Sequence, residues 1–179
     1  VGVNPTRVGV INILRQMGAN IVLSNELDVG GEPVADVRVR YAPLKGITIP
    51  EDQVPLAIDE FPAIFIAAAC AEGTTILSGA EELRVKESDR IQSMADGLVI
   101  LGIDAQPTVD GICILGGQLG SGSVHSHDDH RIAMAFSIAA LRASGEIIVL
   151  DCNNVGTSFP DFVGLAGQIG INLTSETMS

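Results

Sequence analysis

The chain has 179 residues, 46% hydrophobic and 18% charged, which is enough apolar material for one compact domain or two very small ones and excludes a disordered segment. Its formal net charge of −12 repels nucleic-acid phosphates and anionic membrane surfaces, and no basic and aromatic patch offsets that field. Aromatics make up 3%, so the core has to be built from Val, Ile, Leu, Ala and Met.

The chain opens on VGVNPTR without an initiating Met and reads as an excised piece of a longer polypeptide. From Thr6, TRVGVINILRQMGANIVL predicts a three-turn amphipathic helix with a polar N-cap, a closing glycine at Gly18 and a strand over 19–24. DVRVRY at 36–41 alternates as a strand should. Asp59 and Glu60 then precede the longest uncharged apolar run, 61–71, which suits a buried core helix and is far short of a bilayer span. A short β-branched strand is expected over 74–78.

The charge density changes abruptly at LRVKESDRI, residues 83–91. Arg84, Lys86, Glu87, Asp89 and Arg90 fall within seven positions, and they include three of the chain's ten Lys and Arg residues. A helix follows from Ser88 to a closing Gly102, and GICILGG at 111–117 predicts an apolar strand. His125, His127 and His130 form an HxHxxH spacing with no scaffold visible around it, so no metal is assigned. Asp128, Asp129, His130 and Arg131 open another alanine-rich helix, with a strand over 147–150. A last amphipathic helix runs from Ser158 to Gly170 and leads into a strand. Cys70, Cys113 and Cys152 are odd in number, lack a CxxC and sit in apolar stretches, which predicts buried free thiols in a reducing compartment. With no signal peptide visible, a cytoplasmic location is expected.

These elements repeat. DEFPAIFIAAACAEGTTIL and DHRIAMAFSIAALRASGEIIVL lie seventy residues apart, and the amphipathic helix–Gly–strand pattern recurs three times. About two and a half α/β units should stack, with helices buried together and small sheets outside. If the units are parallel, three polar helix starts face one side. Helix N-termini favour anions, so Lys86, Arg90 and Arg131 beside them point to phosphate or carboxylate binding. The same acids also suit plain capping or pairing with the arginines. Lys86 and Arg90 stand at i, i+4, where like charges repel unless something anionic lies between them. Anion binding alone has no use for Glu87 or Asp59, whereas acid–base chemistry on an anionic substrate does.

LRVKESDRI, DDHRIAMAFSIAAL and TSFPDF, together with NPTR, GGEPVADVRVR, LKGITI and IDEFP, resemble the 5-enolpyruvylshikimate-3-phosphate synthase family over essentially the whole chain. The resemblance implies an α/β fold of the α+β type. It is one lobe of the enolpyruvyl transferase fold, built of βαβαββ units around buried parallel helices, with residues 1–179 as a single lobe lacking its short N-terminal segment and the other lobe. It implies transfer of the enolpyruvyl group of phosphoenolpyruvate to the 5-hydroxyl of shikimate 3-phosphate, releasing phosphate, with no metal or organic cofactor. By resemblance, Asp59 accepts the hydroxyl proton, Lys86 holds that hydroxyl, and Glu87 delivers a proton to the methylene carbon. Arg90 and Arg131 clamp the phosphate and carboxylate of phosphoenolpyruvate, with His130 beside them. Many members bind phosphoenolpyruvate with a lysine where this chain has Thr157, so Thr157 and Ser158 are left to supply hydroxyls. The isolated chain is expected to be inactive. Two other readings remain open: a lobe of the sister transferase acting on UDP-N-acetylglucosamine, and a noncatalytic module that binds simple anions.

Overall fold

The computed structural model describes residues 1–176. Helix α1 (Gly9–Gln16) leads into β1 (Asn20–Val29) and β2 (Glu32–Arg40), an antiparallel hairpin with a register shift between Ser24 and Leu27. The apolar run forms α2 (Phe61–Ala69), followed by β3 (Thr74–Leu77), α3 (Arg90–Ile100), β4 (Asp104–Pro107) and β5 (Ile112–Leu115). Then come β6 (Gly122–His125), α4 (His130–Ala139), β7 (Ile147–Leu150), the short α5 (Val155–Ser158) and α6 (Phe162–Gln168). No helix among the described residues is long and apolar enough to cross a membrane.

The expected repeat is present in the pairing. The middle unit is complete. Lys45 and Thr48 bridge in parallel to Glu72 and Ile76, α2 crosses over to β3, and α3 leads to β4 and β5 in the antiparallel order β3-β5-β4. This is a βαβαββ unit. The first unit keeps only the end of that pattern: Gly2 bridges antiparallel to Val34, so the N-terminal residues lie where β3 would, and α1, β1 and β2 follow. The last unit keeps the beginning: β6 and β7 pair in parallel across α4, and α6 follows. The expected strand after Gly170 is not formed at 171–176.

Gly18, Gly102 and Gly170 sit in the left-handed region at φ of 98°, 84° and 87°, closing α1, α3 and α6 as the sequence predicts. The expected caps shift. Thr6 lies outside α1 and gives its hydroxyl to Asn4 Oδ1 at 2.8 Å. Asp89 rather than Ser88 caps α3, accepting from the Gln92 N–H at 3.0 Å.

The core lies between the helices. Phe61, Ile64, Phe65, Ile91, Met94, Leu98, Ile132 and Phe136 are fully buried, and the small sheets cover the outside. Helix α2 has a polar start but is apolar on every side: most of it is buried against α1, α3 and α4, and its remaining face, at Ala63 and Ala67, is open but still apolar. Close approach of α3 to α4 depends on Gly97, where a Cβ would come within 2.3 Å of the Phe136 ring. Alanine normally improves a helix interior by about 1 kcal/mol over glycine. Here overpacking against a buried ring costs about 1–3 kcal/mol. Gly97→Ala is therefore expected to lower the urea midpoint, whereas the propensity term alone would raise it.

Cys70, Cys113 and Cys152 are free, as expected, but only the first two are half-buried, and Cys152 is exposed on the loop after β7. An apolar neighbourhood in sequence does not bury a side chain once the strand has ended. Burial pushes the Cys70 thiol up, against a smaller opposing effect of Arg142.

Candidate functional site

The polar starts of α2, α3 and α4 meet. The first is delivered by two consecutive 3₁₀ turns, Glu51–Gln53 and Pro55–Ala57, which bring Asp59 and Glu60 to the head of α2. The second follows the 3₁₀ turn Glu81–Val85. Arg84 fastens that turn: its Nε donates to the Val109 carbonyl at 2.8 Å, one Nη donates to the Thr108 carbonyl, and the other meets Asp89 at 2.6 Å. Arg84 is thus a structural member of the charged cluster.

The third start is set by a tight loop. His127 and Asp128 both lie in the left-handed region, at φ of 52° and 56°, a conformation that costs energy unless neighbours enforce it. Ser126 enforces it. Its hydroxyl donates to the carbonyls of Leu150 and Asp151 at 2.9 and 2.6 Å, and its own carbonyl accepts from the Asp129 N–H at 2.9 Å. Asp129 is thereby turned inward. One of its oxygens accepts the Arg131 N–H at 2.9 Å and caps α4.

The other Asp129 oxygen accepts Arg90 Nε at 2.8 Å, and both side chains are 0% exposed. Ser88 Oγ also donates to it, at 3.2 Å. The remaining Arg90 nitrogens meet Glu87 at 2.5 Å and Asp59 at 3.5 Å. Arg131 reaches the same place from α4, donating to the Asp59 carbonyl at 3.0 Å and lying 3.6 Å from its carboxylate. Burial pushes the Asp129 carboxyl up. The hydrogen bond and charge of Arg90 and the two helix N–H groups together outweigh this and hold it below the usual aspartate value. Burial, with the charge of Asp59, pushes Glu60 up against the opposing charges of Arg131 and Arg7.

Asp59, Glu87, Arg90 and Arg131 are therefore brought together. Lys86 is adjacent in sequence but pairs with Glu82, one turn away. The expected repulsion between Lys86 and Arg90 is relieved within the chain, because each cation holds a carboxylate. His130 opens α4 and is half-buried. Thr157 lies exposed in α5, which packs on α4. The His125 and His127 rings lie 5.9 Å apart and tilted, and His125 Nδ1 is 2.8 Å from Asp151, an exposed pair on the β6–β7 side. Among the described residues, no three His, Cys, Asp or Glu side chains are grouped as metal ligands. Sequence reasoning gave Asp129 and Glu60 no catalytic role and allowed the helix-start acids only capping or pairing with the arginines, and Asp129 does both. The usable signal for Asp129 was its placement one residue before an alanine-rich helix, in register with Asp59.

A family model described as EPSP synthase (3-phosphoshikimate 1-carboxyvinyltransferase) matches residues 1–165. The chain belongs to the EPSP synthase family. The 3-phosphoshikimate 1-carboxyvinyltransferase of Methylococcus capsulatus is 66% identical over 173 residues, which is 97% of this chain and 40% of that protein. The corresponding protein of Nitrosococcus oceani is 67% identical over 171 residues, 96% of this chain and 38% of its own length. The chain thus spans about 40% of the length of the curated EPSP synthase relatives it matches. The solved EPSP synthase from Acinetobacter baumannii superposes with a TM-score of 0.96 at 59% identity, covering 98% of this chain and 42% of that one. The enolpyruvyl transferase NikO from Streptomyces tendae has a TM-score of 0.67 at 19% identity and shares the fold.

Proposed function

We propose that this chain is the C-terminal lobe of an EPSP synthase and supplies about half of a site that transfers the enolpyruvyl group of phosphoenolpyruvate to the 5-hydroxyl of shikimate 3-phosphate. The observation that carries this reading is the convergence of Asp59, Glu87, Arg90 and Arg131 from three helix starts, in a chain of this family. The arginines and helix N-termini supply positive potential for the phosphate and carboxylate of phosphoenolpyruvate. Lys86, once free of Glu82, and His130 and Thr157 on the α4 side complete that wall.

Asp59 takes the proton as the hydroxyl oxygen bonds to the central carbon of phosphoenolpyruvate, and Glu87 protonates its methylene carbon. When phosphate leaves, restoring the double bond requires a proton to come off that same carbon. The carboxylate left on Glu87 is the base beside it, so the acid is regenerated, and the hydroxyl proton held by Asp59 departs with the leaving phosphate, which restores the base. Mass balances as alcohol plus phosphoenolpyruvate giving enol ether plus phosphate, with no cofactor consumed.

The other lobe is the expected partner, together with a segment preceding residue 1. The middle unit carries α2 between its parallel strands and the last unit carries α4, whereas the first has no counterpart among the described residues. A groove of about 370 Å³ between α2 and α4, floored by Ala63, Ala67 and Ala135 and walled by Tyr41, Ile138 and Leu141, has the apolar, small-residue lining that a third alanine-rich helix would fill.

The test is phosphate release from phosphoenolpyruvate plus shikimate 3-phosphate, by the chain alone and mixed with the complementary part of a matching synthase. Release in the mixture only is the expected result. Full-rate turnover by the chain alone would overturn the half-site reading. No turnover in a mixture of folded parts would overturn the assignment to this reaction.

A further inference from the structure

Every cation of the site already holds a carboxylate of the same chain. Arg84 pairs with Asp89, Lys86 with Glu82, Arg131 with Asp59, and Arg90 with three acids at once. The partners of Arg90 are not equivalent. Asp129 is 0% exposed, is also bonded by Ser88 and two helix N–H groups, and grips the Nε edge. Glu87 is 50% exposed and holds only the outer Nη2. Asp59 is 29% exposed and stands at 3.5 Å from Nη1. A buried partner with four bonds cannot leave without stranding charge, whereas a half-exposed one can swing into water at small cost.

We propose that Glu87 is an internal counter-ion which occupies the place of the substrate's anionic group on Arg90 and is exchanged for that group on binding, while Asp129 stays and fixes the guanidinium. The inference rests on the reading of this site as the phosphoenolpyruvate site. Its consequence is coupling. With no anion bound, the guanidinium holds the Glu87 side chain turned toward the protein. An arriving carboxylate or phosphate takes over Nη2, and the released Glu87 becomes free to turn to the methylene carbon. The acid is thus made available by the substrate it serves, which accounts for the placing of Glu87 three residues before Arg90.

The exchange predicts that removing a catalytic acid tightens binding. Phosphoenolpyruvate, and inorganic phosphate as a second probe, would be titrated calorimetrically into the 179-residue chain and its variants. Glu87→Gln and Glu87→Ala are each expected to bind phosphoenolpyruvate about two- to fivefold more tightly than the parent, the range of an exposed ion pair no longer in competition. Asp128→Asn controls for bulk charge: it removes one exposed carboxylate at the neighbouring start of α4, with no contact to Arg90, and its gain should be smaller. In the unsubstituted chain, saturation with phosphoenolpyruvate should move the ¹³C resonance of the Glu87 carboxyl, a readout that needs no variant to fold. Unchanged or weaker binding by both Glu87 variants, a gain no larger than that of Asp128→Asn, or a stationary Glu87 resonance at saturation overturns the exchange while leaving the anion site intact. No binding of either probe to any folded form overturns the site reading itself, and the exchange with it.

Discussion

Asp129→Ala is expected to cost about 3–5 kcal/mol of folding stability, a large share of what a domain of this size has. The substitution leaves Arg90 charged, buried and without its Nε partner, and it removes the acceptor that caps α4. Chemical denaturation of the two forms measures the loss directly. A double variant, Asp129→Leu with Arg90→Met, should recover much of it, because a buried ion pair replaced by apolar groups of similar volume is often neutral while a broken one is not. A double variant as unstable as the single one would show that capping, rather than the pair, carries the effect. Acidity provides a second readout. The Asp129 carboxyl is held below its ordinary value in the folded chain, so its contribution is fully present above the unfolded aspartate pKa of about 3.9. That contribution fades as the pH drops from there through the folded value, when the unfolded chain binds the proton first. Asp129→Asn should therefore flatten the loss of stability in acid.

Asp59→Asn is expected to reduce turnover in the reconstituted mixture by roughly 10²–10⁴-fold, the usual contribution of a positioned general base. Asparagine keeps the backbone carbonyl that accepts Arg131 Nη1, and it matches the shape of the side chain facing Arg90. The thermal midpoint should then shift little, and KM for either substrate should stay within a few-fold of the parent. A fall in kcat under those conditions reads on proton transfer. A fall in which KM for phosphoenolpyruvate rises in proportion would instead assign Asp59 to holding the arginines in place.

The sequence makes the scaffold legible where local signals are strong. The run at 61–71 becomes α2, the three closing glycines occur at positive φ, and the seventy-residue spacing reappears as the register of α2 with α4. The charged cluster stands out because it opposes a sparse, acidic background. What stays hidden is which acid meets which base. Asp129 and Arg90 are 39 residues apart, and nothing local separates Asp129 from its neighbour Asp128, which the left-handed turn directs elsewhere. Arg84 resembles Arg90 in sequence, yet it is consumed by the carbonyls of Thr108 and Val109, a role set by where β4 ends. β6, GSVH, is too short and too polar to announce itself, and only its parallel pairing with β7 defines it. Cys152 is misread for a similar reason: its apolar neighbours belong to a strand that ends before it does.

The convergence of three helix starts also fixes the order in which the molecule can acquire its site. The β1–β2 hairpin closes a turn of two glycines and can form early. The contacts that define the site join residues 31, 39 and 72 positions apart, so each requires a large loop of chain to be closed first. The polar knot therefore cannot form before the stretches of chain that separate α2, α3 and α4 have closed, a condition it shares with the helix core beneath it.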